Sequence, residues 1–425
     1  MAQRVQGFTV DLIFRNYVCF LFDHYMNDFV STHSIRTNYI TVGVDASNIR
    51  AGGGQTHLVE LIRATIPHRH QIEKLVIFGS KRTLDTLPNM PWLEKVNPNC
   101  LNGNFIQRLI WQKYKITTDV RRHKCDVLFV PGGSYAGKFH PIVAMSQNLL
   151  PFMFDELFRF GISAGTFKGI LLRITQTLTF RNADGVIFLT KFAKNTVSRS
   201  VKSFKGRVTI IPHGIDNRFL HAPKKQLDID KYSAQNPFRI LYVSVINQYK
   251  HQWNVVQAVS SIRAETGWPI VLEFVGPAYP PSLRRLKSQM EIHDPRREWI
   301  FYRGAMPFDS LHQVYTEADL GLFASSCENL PIILLETMSA GLPIACSNLG
   351  PMPEVLQDGG LYFNPESCDE IRTAVRSLVS STEERERLAS ISFSLAKGYS
   401  WSTCADKTFD FLFDAANRYH QLNHD

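Results

Sequence analysis

At 425 residues the chain exceeds what one ordinary core holds, so two domains are expected; 44% hydrophobic and 20% charged residues without a low-complexity tract exclude fibrous and disordered classes. The net charge of +9 is concentrated, with 17 Lys and Arg against 5 Asp and Glu over residues 101–210, so that region is expected to face an anionic partner. The seven cysteines form no CxxC pair and no Cys/His cluster at zinc spacing, which argues for a reducing cytosolic setting and against a structural metal.

Residues 1–38 read as an extension ahead of the fold. Its apolar run YVCFLF (17–22) is short and flanked by Asp11, Arg15 and Asp23, a poor membrane span and a poor signal peptide. A surface helix, a membrane-touching arm and a disordered lead-in all remain open. From Tyr39 onward, buried β-rich runs alternate with amphipathic stretches: YITVGVDA (39–46), KLVIFGS (74–80), CDVLFVPGG (125–133), PIVAMSQN (141–148), DGVIFLT (184–190) and RVTIIPHGID (207–216). That rhythm predicts parallel βαβ units over a first domain, 39–221. After a polar linker at 222–237 the rhythm restarts with FRILYVS (238–244), PIVLEFVGP (269–277), EWIFYRGA (298–305), ADLGLFASS (318–326), GLPIACSN (341–348) and GGLYFNP (359–365). A second domain is therefore expected over 238–400. Residues 401–425 have helical apolar spacing and should form a closing helix that packs back on the first domain.

The expected fold class is α/β, with two doubly wound parallel sheets of about six strands each facing across a cleft. Ligands of such sheets bind at the carboxyl ends of the strands. At one such end lies DASNIRAGGGQTHLVELI (45–62), a strand, a Gly-rich loop and a helix. Gly52, Gly53 and Gly54 let backbone approach a ligand, and the helix start favours phosphate. The spacing is not GxGxxG, so a dinucleotide site is not indicated, and an ordinary tight turn is the competing reading.

The most informative stretch is CENLPIILLETMSAGLPIACS (327–347), which plants Glu336 in an aliphatic block eight residues after Glu328. Pro331 suits a helix start, Asn329 can cap it, and Gly341 with Pro343 stops it, which predicts a helix over about 331–340. The two acids then lie about 10 Å apart with a helix N-terminus between them, a layout that matches the sugar, diphosphate and ribose of a nucleotide sugar. The bland alternative is a buried acid satisfied internally and a surface acid beside it.

The longer segment ADLGLFASSCENLPIILLETMSAGLPIACSNLGPMPEVLQDGGLYFNP (318–365) resembles the donor-binding segment of the retaining family 4 glycosyltransferases of the GT-B fold. Their signature is E-x7-E, a small-residue–Gly–x–Pro turn, a Pro-Glu pair and a Gly-rich strand. The resemblance implies that Glu328 holds the donor sugar near the reacting carbon and Glu336 the ribose, with Asn329, Leu330 and Pro331 lining the pocket. It implies that the loop at Gly53 and Gly54 reaches over the donor, and that Lys250 of YVSVINQYKHQWN (242–254) faces the diphosphate as a catalytic cation. Two positions depart from the family. Val245 stands where an Arg is usual, with His251 and Arg303 as candidate substitutes. Gln147 and Asn148 stand where a His-Asp pair is usual, and their amides are candidate sugar or acceptor contacts that cannot take a proton. His213 of PHGID (212–216) reads as structural.

The resemblance extends to bacterial O-antigen and polysaccharide mannosyltransferases through YKHQWN. It points to GDP-mannose as donor, while the charge of the basic first domain alone suggests a glycan or lipid-linked glycan acceptor in surface polysaccharide or lipopolysaccharide synthesis. No cofactor and no metal are expected; the DID at 228–230 sits in the linker without supporting ligands. The basic, apolar-interleaved residues 152–207 suit a peripheral contact with an anionic membrane, at the inner face of the plasma membrane. Helices with basic outer faces explain them nearly as well. Nucleic acid is not expected, since no binding module accompanies the charge. Two other readings stay open: a catalytically silent GT-B partner subunit that binds sugar nucleotides, and a GT-B epimerase.

Overall fold

Continuous aliphatic runs such as Ile40–Asp45 and Ile270–Val275 are buried along their whole length, as strands covered on both faces require. The computed structural model describes residues 39–50 and 52–424; the extension expected over 1–38 lies outside the described residues. The first sheet holds β1 (Ile40–Asp45), β2 (Ile72–Phe78), β3 (Leu93–Val96), β4 (Val127–Val130), β5 (Ile142–Met145), β6 (Gly185–Phe188) and β7 (Arg207–Ile210). Its order is β3-β2-β1-β4-β5-β6-β7, with every pair parallel. The second holds β8 (Phe238–Val243), β9 (Ile270–Val275), β10 (Ile300–Tyr302), β11 (Leu320–Phe323), β12 (Ile344–Ser347) and β13 (Leu361–Phe363) in the order β10-β9-β8-β11-β12-β13, again all parallel. The fold is thus two parallel α/β layers of seven and six strands.

The seventh strand, β3, has no counterpart among the expected ones. All four of its residues are half-buried and two are charged, so neither alternation nor an apolar run marks it. Five helices matter below: α1 (Gly53–Ala64), α2 (Phe105–Tyr114), α3 (Ala164–Asn182), α4 (Ile332–Ser339) and α5 (Trp401–His424). Helix α5 packs on α1 and on strands of the first sheet, with Phe411 against Gly185. Its Asp406 and Asp410 flank the buried His70 ring at 3.0 and 2.9 Å.

Each strand order reverses once, between β1 and β4 and between β8 and β11. At such a switch point the two outgoing loops diverge and leave a crevice. In the second sheet those loops carry Val245 to Lys250 and Ser325 to Pro331.

Candidate functional site

Asn247 begins the first of these loops as a cap: its Oδ1 accepts from Gln248 N at 2.7 Å and its carbonyl from Lys250 N at 3.1 Å. The resulting turn, Gln248–Lys250, drives the lysine side chain inward. Ser326 N bonds Tyr249 O at 2.9 Å and ties the second loop to the first. Lys250 Nζ therefore meets Glu328 Oε1 in an ion pair whose side chains are only 5% and 16% exposed. Tyr249 and Phe323 rings lie 5.5 and 5.0 Å from the ammonium and strip it of water on those sides.

Eight residues on, Glu336 sits in the last half of α4, buried among Leu334, Leu335 and Met338. Tyr315 donates its hydroxyl to Glu336 Oε2 at 2.9 Å. Oε1 accepts nothing from the described residues. Burial raises this carboxyl to about 7 against the Tyr315 bond that lowers it, and the second oxygen retains acceptor capacity.

Lys250, Glu328 and Glu336 line one cavity of about 500 Å³, together with Leu330, Pro331 and the start of α4. The first domain contributes Gly52 and, from α1, Gly53 and Thr56. Gly52 has φ of 72°, a left-handed backbone that turns the chain from β1 into α1. Most of the remaining wall is apolar, with Val243, Val275, Met306, Phe308, Leu311 and Phe323, and Ser244 and Tyr249 add polar groups. A mostly apolar cavity with a few charged groups can hold an apolar ring against its walls and bond the polar groups of the same ligand.

Several expected residues fall elsewhere. Asn329 does not cap α4; Pro331 occupies the cap position. The Asn329 side-chain amide instead donates to Ser146 O at 2.8 Å, and the Asn329 backbone carbonyl accepts from the Thr190 hydroxyl at 3.0 Å, so the residue joins the second loop to the first domain. Gly54 is the second residue of α1 and is not among the residues that line the cavity; a Cβ there would come 2.9 Å from Gln147 Oε1. Gln147 bonds His57 Nδ1 at 3.0 Å, and the exposed Asn148 accepts from Leu150 N at 3.2 Å. Neither amide lines the cavity.

Val245 does line it, in the place where the family resemblance puts Arg. Neither proposed substitute reaches. His251 is turned to Ser326 Oγ at 2.9 Å, and burial with the nearby Arg159 pushes its imidazole down to about 4, which leaves it uncharged. Arg303 pairs with Glu273 at 2.7 Å on a separate groove at the sheet edge. Of the described residues that line the cavity, Lys250 alone is cationic. Sequence reasoning missed Tyr315, Tyr249 and Thr56. Tyr315 had no signal, since its partner lies 21 residues away on another helix.

Residues 51–219 match the model of the Glycosyltransferase Family 4, and residues 224–393 that of the Glycosyl transferases group 1. The O-antigen chain mannosyltransferase B of Escherichia coli is 27% identical over 184 residues, 43% of this chain and 47% of that protein. A GDP-mannose-dependent alpha-(1-6)-phosphatidylinositol monomannoside mannosyltransferase of Mycobacterium tuberculosis is 26% identical over 261 residues, 57% of this chain and 66% of that one. The chain thus spans about half to two thirds of the length of these relatives. Among solved structures, sucrose-phosphate synthase of Thermosynechococcus elongatus superposes with a TM-score of 0.70 at 14% identity, over 91% of this chain and 99% of that one. HepE of Anabaena, in complex with UDP-glucose, superposes with a TM-score of 0.61 at 15% identity, over 90% and 100%. Likeness at these identities concerns the fold.

Proposed function

This chain belongs to the group 1, family 4 glycosyltransferases of the GT-B fold, and on that premise we propose that it transfers mannose from GDP-mannose to a glycan or lipid-linked glycan, with retention at the anomeric carbon. The observation that carries the reading is one cavity lined by the Lys250–Glu328 pair and by Glu336. In this reading Glu336 accepts the ribose hydroxyls through its open oxygen. Lys250 exchanges part of its bond to Glu328 for the diphosphate, and Glu328 takes donor-sugar hydroxyls. Transfer is front-face: the acceptor oxygen bonds to the anomeric carbon while the bond from that carbon to the phosphate oxygen breaks. The departing phosphate oxygen takes the acceptor proton, and Lys250 stabilises the charge that builds there. No protein base is needed, which accommodates Gln147 in place of histidine.

A lipid-linked acceptor is supported by the outer surface of the first domain. Twelve of the twenty large hydrophobic side chains exposed among the described residues lie between 105 and 178. On α3, Phe167, Leu171, Ile174 and Leu178 form one exposed stripe, with Lys168 and Arg181 on the same helix. On α2, Ile106, Ile110 and Tyr114 are exposed beside Arg108 and Lys113. Ser134 links the two helices, its carbonyl bonded to Gln112 at 2.8 Å and its hydroxyl to Thr175 at 3.4 Å. Exposed apolar and basic groups thus occur on α2 as well as within the expected 152–207. An anionic bilayer suits both kinds of group. Among the described residues no helix is long and apolar enough to cross a membrane.

The test is nucleotide release from a panel of GDP-, UDP- and ADP-sugars with a membrane extract, and the anomeric configuration of the product. Release from GDP-mannose that requires acceptor and disappears in Glu328→Ala supports the proposal. The single, already paired cation of the cavity favours one second reading, a silent sugar-nucleotide-binding partner. Donor binding without turnover on any acceptor would establish that reading; donor conversion without acceptor would point to an epimerase.

A further inference from the structure

Away from the cavity, three segments bring a cluster of chemistry-bearing side chains to one point. His57 comes from α1, His213 from the loop after β7, and Cys404 from α5. One ligand atom from each lies within 4.8 Å of the others, and the residues are 0, 4 and 2% exposed. None of the three lines the cavity. The imidazole rings are 4.4 Å apart between centroids, and the Trp401 ring closes over both at 5.9 and 5.6 Å.

Two nitrogens in this cluster, His57 Nε2 and His213 Nδ1, are buried and make no hydrogen bond. For His57 the consequence is specific. The Gln147 amide donates to Nδ1 at 3.0 Å, which places the ring proton on Nε2, a buried donor without an acceptor. An orphaned buried group of this kind is destabilising. If the Gln147 amide is turned over, its oxygen accepts from Nδ1–H and the buried Nε2 carries a lone pair free to bind a ligand. That is how metal-bound histidines are oriented, with the outer nitrogen bonded to a fixed acceptor. Burial keeps both imidazoles uncharged, His57 at about 3, which is the ligating form. The same burial raises the Cys404 thiol to about 12, and a bound cation would reverse this by taking the thiolate.

We propose that His57, His213 and Cys404 form a binding site for a thiophilic divalent transition-metal ion of the zinc class. Two imidazole nitrogens and one thiolate are a ligand set such ions accept, with water free to take a fourth position. The ion would fasten three parts of the fold: α1, whose start lines the cavity, the segment that leaves the first sheet, and the closing helix α5. Its role is structural, and the proposal does not depend on the glycosyltransferase reading. The enclosed position implies loading during folding, not by diffusion into the finished fold.

The experiment is to unfold the full chain in chelator, refold it with Co²⁺ or Zn²⁺ as the only added metal, remove free ion, and measure metal content and absorption. The proposal expects roughly one equivalent per chain. It also expects a thiolate-to-cobalt charge-transfer band that is absent from Cys404→Ser and His213→Gln, and a melting temperature higher with Zn²⁺ than in chelator for wild type only. Wild-type protein that refolds without retaining metal would overturn it. So would a charge-transfer band that persists in Cys404→Ser, because the ion would then sit elsewhere. If either variant does not fold, the spectrum of refolded wild type decides alone, since the absence of a thiolate band excludes the site.

Discussion

Each half of the molecule buries an acid near the carboxyl ends of its strands, and the two are held differently. Asp45 closes β1 with both oxygens engaged, Oδ1 by Ser47 N at 3.0 Å and Oδ2 by Gln112 at 2.6 Å. Glu336, behind β11, has Tyr315 on one oxygen and nothing from the described residues on the other. Burial raises both carboxyls. The difference in satisfaction separates an acid that maintains the fold from one that leaves acceptor capacity facing a cavity. A buried carboxylate with a free oxygen costs stability, and such a cost is retained where a ligand repays it.

The largest expected effect comes from the charged pair beside Glu336. Lys250→Met should lower kcat/KM for the donor by about 100- to 1000-fold, measured by nucleotide release, because the cation acts on charge that develops in the transition state. Glu328→Ala should lose a similar factor, and the double variant far less than the product, since the two groups work as one unit. Next, Glu336→Gln should raise the donor KM about tenfold with kcat little changed and the melting temperature kept or raised. Asp45→Ala should do the reverse. It strands Ser47 N and Gln112, so stability in denaturant falls by about 1–3 kcal/mol while donor affinity is unchanged.

Acidity sharpens the same contrast. The Glu336 carboxyl ionises near 4.5 in the unfolded chain and near 7 in the fold, so as pH rises the unfolded chain gives up this proton first. Its contribution to stability is complete below 4.5 and is lost as pH rises towards 7. Donor affinity should move the opposite way and tighten from pH 6 to 8, as the ionised carboxylate becomes available to hydroxyl donors; Glu336→Gln should flatten both trends. At the outer surface, replacing both Phe167 and Leu171 with Asp should weaken flotation with anionic vesicles by at least about tenfold while nucleotide release in detergent is kept.

Much of this was legible in the residues. The alternation of buried strands with amphipathic stretches marks twelve of the thirteen strands, because a strand covered on both faces must be apolar throughout. β3, an edge strand with Glu94 and Lys95 at its centre, escapes that rule. Glu328 and Glu336 line the same cavity because one loop and one helix join them. What spacing could not show is side-chain direction. Asn329 stands beside Glu328 in the chain yet bonds Ser146, 183 residues away across the cleft. His251 stands beside Lys250 yet turns to Ser326, and Arg303 is committed to Glu273. The choice between these two as a second cation needs their partners, which are distant in sequence, and the partners remove both. The closeness of His57, His213 and Cys404 is likewise invisible to a search for local ligand spacing, since three separate segments supply them.

The central claim is that an activated sugar is gripped between the Lys250–Glu328 pair and Glu336, and a crystal structure with GDP-mannose bound measures it directly. The account predicts Lys250 Nζ against diphosphate oxygens, Glu328 on hydroxyls of the sugar, and the open oxygen of Glu336 on the ribose. A donor seated with Lys250 still closed on Glu328 alone, and with Glu336 bonded only to Tyr315, would contradict it.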